Sequence, residues 1–247
     1  MNRSDTNLSV STTLSSISLL RKVVAEFIGT LLFLFVVVTS TTIPGRYLDA
    51  NPALSLLIAA FMQGLSLVAI VSAFDGVSGS HFNPAITGML TLIRSLPLIQ
   101  SALYVTAQLA GGIAGSALAK ASLGQTINAA TKPTIAVGRA FLVEVLITSI
   151  LLLVVISSAT DLESAMAPVP IGFAVLVGVL LGGSVSGGSM NPARSFGPAV
   201  IENEWESHWI YWIAPLAASF LVAILHHIVF RKRRGKTQPH PGVTELV

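Results

Sequence analysis

The chain has 247 residues, 53% hydrophobic and only 10% charged, with a mean hydropathy of +0.78 and a formal net charge of +3. Soluble domains carry about 25% charged residues, so the composition excludes an ordinary water-soluble domain and describes a multi-pass membrane protein. The lack of cysteine removes disulfides and thiolate metal sites, and the basic surplus, gathered in "RKRRGK" (231–236), reads as a cytoplasmic membrane-edge anchor and not as a nucleic-acid surface.

The Ser- and Thr-rich opening lacks a basic start followed by an apolar core, so residues 1–21 are expected to form a cytoplasmic tail without a cleaved leader. Six full spans follow, over about 22–43, 53–74, 97–119, 139–159, 168–186 and 207–230. Each is close to the roughly 20 residues that cross a bilayer as a helix. Pro52, Pro97 and Pro168 suit first helical turns. Two further apolar segments, "NPAITGMLTLIR" (83–94) and "NPARSFGPAVIE" (191–202), have only 12 residues each. Each would reach about 18 Å, half a bilayer. They are expected to be re-entrant half-helices whose lead-ins are buried in protein or line a water-filled cavity. Arg3, Arg21, Lys22, Arg94 and the basic run at 231–236 fall on one side, and Arg46, Lys120, Lys132 and Arg139 on the other, which predicts that both termini are cytoplasmic.

The chain repeats itself. "AEFIGTLLFLFVVV" (25–38) matches "VEVLITSILLLVV" (143–155), "VSGSHFNPA" (77–85) matches "VSGGSMNPA" (185–193), and "YVTAQLAGGIAG" (104–115) matches "YWIAPLAASFLV" (211–222). Each unit has three full spans, an odd number, so the second must insert inverted. Inverted repeats put a functional site near the midplane, where the two half-helices meet.

A third Asn-Pro-Ala, at 51–53, lacks the Ser-Gly lead-in and a repeat partner; it reads as a helix cap opening the second span. The other two, Asn83-Pro84-Ala85 and Asn191-Pro192-Ala193, open the half-helices. Their asparagines are expected to cap with the side-chain oxygen and leave the NH₂ free to donate into a pore. Two helix N-termini meeting there make a positive centre. Glycines in the lead-ins allow backbone to run along a cavity, so the carbonyls of Gly79, Ser80, His81 and Phe82 and of Gly187, Gly188, Ser189 and Met190 are expected to form a ladder of acceptors. Glu26 and Glu144 read as carboxylates accepting amide hydrogens from the re-entrant loop of their own half, with a proton relay as the alternative. His81 is expected to brace its loop. Gly111/Gly115 and Gly178/Gly182 read as helix-packing pairs, and Glu202, Glu204 and Glu206 as solvated loop charges. No catalytic set, phosphate loop, metal cluster or cofactor motif is present in the sequence.

Paired "SGxxxNPA" motifs, the second continuing to Arg194, with a glutamate repeated in spans one and four, resemble the aquaporin (major intrinsic protein) family from about 22 to 230. The resemblance implies an all-α membrane protein of six transmembrane helices plus two re-entrant half-helices, arranged as inverted three-helix repeats (about 22–120 and 139–230). It also implies a pore in every subunit, a homotetramer in the plasma or inner membrane, a basic cytoplasmic tail at 231–247, and a channel rather than an enzyme. The family's narrowest point falls on Gln63, Val179, Gly188 and Arg194. Water-selective members usually have an aromatic residue and a histidine at the first two, and this chain has neither. Ser195, Ala199, Tyr211 and Trp212 look like the water-channel set, whereas Val179 and the Ser-Gly-Gly-Ser-Met lead-in look like the nodulin-26-like branch. The expected function is a passive water channel that excludes protons and ions. The alternative is a channel for small uncharged solutes such as glycerol, boric acid, hydrogen peroxide or ammonia. An ion-coupled transporter is a further rival, since inverted repeats occur there too.

Overall fold

A computed structural model describes residues 3–47, 51–124, 127–160 and 166–230; the basic run at 231–236 lies outside them. The described residues form eight α-helices: α1 (Arg3–Tyr47), α2 (Pro52–Ser78), α3 (Pro84–Leu92), α4 (Leu98–Leu123), α5 (Val137–Thr160), α6 (Pro168–Gly182), α7 (Pro192–Glu202) and α8 (Ile210–Leu225), the last continued by a π turn, His226–Phe230. Four of them, and α8 together with its π turn, give segments of 20 to 27 residues that are long and apolar enough to cross a membrane. The sixth expected span, α6, has 15 residues.

Local chemistry explains most boundaries. Asn51 caps α2 by accepting from the Leu54 amide at 3.1 Å, with Pro52 in its first turn, so the third Asn-Pro-Ala is a plain helix start. Left-handed glycines stop α2 at Gly79 and α4 at Gly124. Two boundaries differ from expectation. Helix α1 begins at Arg3 and not near 22, although its membrane-competent part is Ser18–Pro44. Residues 3–21 contain no Gly or Pro, so nothing local stops the helix propagating out of the apolar segment. The expected span 168–186 closes its regular helix at Gly182, because the amides of Val185, Ser186 and Gly187 all turn back onto the Gly182 carbonyl.

Packing follows the repeat. Helix α1 lies against α4 and α5 against α8, while α2 crosses α6 between the halves. Each half-helix also packs on the last helix of the other half, α3 on α8 and α7 on α4. Small residues bring these backbones together. A Cβ at Gly111 or Gly115 would run into the Phe27 or Leu31 carbonyl of α1, and one at Gly197 would strike the Gly112 carbonyl of α4. The outward faces of α1, α2, α4, α5, α6 and α8 expose large apolar side chains, among them Leu65, Leu103, Leu146 and Phe220. Water would not tolerate such a surface, and lipid does.

Candidate pore site

Two buried carboxylates organise the site, one per half. Glu26 on α1 and Glu144 on α5 are both fully buried. Glu26 accepts from the amides of His81 (3.0 Å) and Phe82 (2.8 Å), from the Ser78 hydroxyl (2.7 Å) and from the Gln108 amide nitrogen (2.8 Å). Glu144 accepts from the amides of Ser189 and Met190, both at 2.9 Å, and from the Ser186 hydroxyl at 2.7 Å. The carbonyls of Ser78 and Ser186 in turn accept from the hydroxyls of Tyr104 (2.9 Å) and Tyr211 (2.5 Å). These serines and tyrosines are repeat partners within the quoted strings, and that symmetry was the signal that could have assigned them. His81 is tied through Nδ1 to the Thr87 hydroxyl at 3.0 Å and packs edge-on against Tyr104.

Held this way, both loops adopt the same unusual backbone. Positive φ occurs at Gly79 (83°), Ser80 (49°) and Phe82 (48°), and at Gly187 (97°), Gly188 (60°) and Met190 (54°). Those are the same three positions before each asparagine. Left-handed geometry at Phe82 and Met190 costs on the order of 1–2 kcal/mol each. It persists because the Phe82 ring occupies the space beside Gly29 of α1 and the Met190 thioether that beside Gly178 of α6, where neither glycine has room for a Cβ.

The half-helix ends then meet. The Asn83 side-chain oxygen accepts from the Ala85 amide at 2.8 Å, and that of Asn191 from the Ala193 and Arg194 amides at 2.9 and 3.3 Å. Their NH₂ groups are not wholly free as expected. Asn83 Nδ2 donates to the Met190 carbonyl and Asn191 Nδ2 to the Phe82 carbonyl, both at 2.9 Å. An amide nitrogen carries two hydrogens, so one donor per asparagine remains, and the crossed bonds lock the two N-termini together. Pro84 and Pro192 open the helices, and Ala85 and Ala193 pack behind them, with the Ser219 hydroxyl on the Ala85 carbonyl at 2.8 Å and Ala193 against Gly112.

A narrow lumen of about 20 Å³ passes this junction, little more than one water molecule needs. Its walls are mostly repeat pairs: Phe33 with Leu151, Leu67 with Val175, Asn83 with Asn191, Phe82 with Met190, His81 with Ser189 and Ile86 with Arg194. Of the expected carbonyl series, His81, Phe82, Gly188, Ser189 and Met190 line the lumen. Gly79 and Ser80 do not, since Gly79 is the exposed cap of α2, donating to Asp75, and the Ser80 hydroxyl turns to the Val71 carbonyl. Gly187 lines a wider vestibule of about 300 Å³. Gln63 and Arg194 line both spaces, Val179 the vestibule and Gly188 the lumen. The four residues therefore gather where the lumen opens.

Arg194 is buried there. Its Nη1 donates to the Ala129 carbonyl at 3.2 Å, and among the described residues no carboxylate lies within ion-pair distance and no acceptor serves its Nε. One side of the vestibule is formed by residues 128–132, in the segment 127–136 between α4 and α5, which carries no motif that ties it to the site. Glu202 and Glu204, read as solvated charges, bind it. Glu202 Oε1 accepts from the amides of Ala129 and Ala130, both at 2.9 Å, and Glu204 pairs with Lys132. Thr131 donates to Ser195, whose hydroxyl also contacts Ser189 at 2.6 Å.

The sequence profile of the major intrinsic protein family matches residues 13–226. The chain is 36% identical to mouse Aquaporin-8 over 212 residues, covering 82% of this chain and 79% of that protein. It is 36% identical to maize Aquaporin TIP1-2 over 224 residues, covering 87% and 88%. The fold is shared with the crystallised aquaglyceroporin of Plasmodium falciparum, at a TM-score of 0.77 and 20% identity, covering 86% of this chain and 97% of that one.

Proposed function

The chain belongs to the major intrinsic protein family, whose members are membrane channels, and on that premise we propose that it is a passive water channel that excludes protons and ions. The observation that carries the reading is the lumen. It has room for little more than one water, its walls are mostly repeat pairs, and at its middle stand two asparagines that each keep one N–H donor beyond the crossed bonds. A water whose oxygen accepts from both cannot pass a proton along the file, and the two half-helix N-termini add a positive barrier. The carbonyls of His81, Gly188 and Ser189 supply acceptors on either side. Arg194, a cation without a carboxylate partner among the described residues, repels cations at the mouth. Glu26 and Glu144 are loop braces in this reading and not a relay, since their oxygens are spent on loop amides and hydroxyls.

The bias of basic residues supports cytoplasmic termini and an outward-facing Arg194, and we place the channel in the cell membrane. The apolar outer faces suit a homotetramer in the bilayer. One observation favours the second reading, passage of small uncharged solutes: the vestibule beside Arg194 holds about 300 Å³ and is lined by the small apolar Val179, and Gln63 offers only an amide.

Stopped-flow light scattering of proteoliposomes tests the proposal. Water flux should exceed that of empty vesicles, depend weakly on temperature and ignore ion gradients. Replacing Arg194 with valine should keep water flux and admit cations; unchanged cation exclusion would remove Arg194 from the filter.

A further inference from the structure

We propose that Glu202 is the positioning residue for the Arg194 guanidinium, acting through the Ala129–Ala130 peptide, and that it thereby sets which solutes pass. The inference rests on the reading of Arg194 as the filter residue. A trans peptide is planar, with its C=O and N–H pointing opposite ways. In this unit the Ala130 N–H donates to Glu202 Oε1 at 2.9 Å, while the Ala129 C=O accepts from Arg194 Nη1 at 3.2 Å. The carboxylate and the guanidinium hold the two ends of one rigid plate. The order carboxylate, N–H, C=O, cation also aligns the peptide dipole with both charges, so each bond strengthens the other. A second bond, from the Ala129 N–H to the same oxygen, fixes the preceding peptide as well.

Two features set Glu202 apart from an incidental contact. It is the last residue of α7, where the negative end of the helix dipole disfavours a carboxylate, so the loop amides and not the helix account for its placement. The other ties of the segment bypass this plate. Thr131 bonds Ser195 at 2.8 Å and Lys132 pairs with Glu204, both beyond the Ala129–Ala130 unit. Losing Glu202 would leave the segment attached and free only the plate that aims Arg194 and the peptide before it.

The test measures glycerol and water permeability of the reconstituted protein side by side, with recovery of the folded protein after detergent extraction checked for each variant. Glu202→Ala should raise the glycerol-to-water ratio on the order of tenfold, the effect of losing one hydrogen bond to a charged group. Glu202→Gln, which keeps the accepting oxygen, should restore most of the discrimination. Glu202→Met preserves size and helix propensity and replaces the alanine variant if that one does not fold. In an Arg194→Val background the Glu202 substitution should add nothing, because the two act in series. An unchanged ratio in folded Glu202→Ala or Glu202→Met protein, or water and glycerol falling together, overturns the proposal while Arg194→Val still relaxes selectivity. If Arg194→Val leaves the ratio unchanged, the filter reading itself is wrong and the proposal falls with it.

Discussion

At the residue scale the two glutamates are alike in role and unequal in load. Glu26 gathers four donors and Glu144 three, because Gln108 has proline, Pro215, as its repeat partner and the second half lacks that amide. Each buried donor left unpaired costs about 1–3 kcal/mol. Glu26→Ala should therefore lower the thermal midpoint of the purified protein more than Glu144→Ala does. Equal midpoints, or the reverse order, would count against this ledger of donors. At the partly exposed Lys132–Glu204 pair, the ammonium holds the Glu204 carboxyl below the ordinary glutamate range, and Glu204 raises Lys132. The contribution of Glu204 is present above its unfolded pKa and lost as pH falls through the lowered folded one; that of Lys132 is lost only as pH rises through its raised value. Lys132→Met should thus leave the pH profile of water flux unaltered between about pH 6 and 9, and a new step inside that window would contradict the assignment. Glu26, Glu144, the asparagines and Arg194 were legible because the repeat or an improbable charge marked them. Glu202 was not: its partners lie more than seventy residues away in a loop without periodicity, and an acidic run beside a helix end looks like solvated surface.

At the element scale the half-helices were legible from length alone, and their caps from the Asn-Pro pair. The ends of α1 and α6 were not, because a Ser/Thr-rich run carries no stop signal and the Gly182 turn is made by tertiary hydrogen bonds. Glycine contacts sharpen the packing account. A Cβ at Gly115 would press on the Leu31 carbonyl, whereas one at Gly76, near the end of α2, would meet nothing within 4 Å. Overpacking costs about 1–3 kcal/mol, and Gly→Ala in an unencumbered helix gains about 0.5–1 kcal/mol. Thermal denaturation should show Gly115→Ala destabilised and Gly76→Ala unchanged or slightly stabilised. A neutral Gly115→Ala would mean that α1 and α4 are less tightly apposed than these backbones place them. Gly188 is a poor place to plug the pore: its Cβ would press at 3.1–3.3 Å on backbone atoms of Val179 and Gly183, at a φ of +60°. Bulk is better introduced at Val179.

At the scale of the whole molecule the protein is a near-symmetric pair of three-helix units, joined where α3 and α7 meet end to end. The paired walls line the lumen. The departures from symmetry cluster at one end: Gln63, Gly188, Arg194 against Ile86, and the bound residues 128–132. Symmetry was visible in the sequence because it repeats motifs; the asymmetry showed only as Arg194 standing opposite Ile86, since its supporting loop lies about 65 residues away and carries no motif. In this account the symmetric middle conducts and the asymmetric mouth selects. The most direct measurement compares water and glycerol permeability of the same proteoliposomes by stopped-flow light scattering. A selective water channel gives water flux well above that of empty vesicles with glycerol flux close to theirs. Water flux no faster than in empty vesicles, or glycerol entering as fast as water, would contradict it.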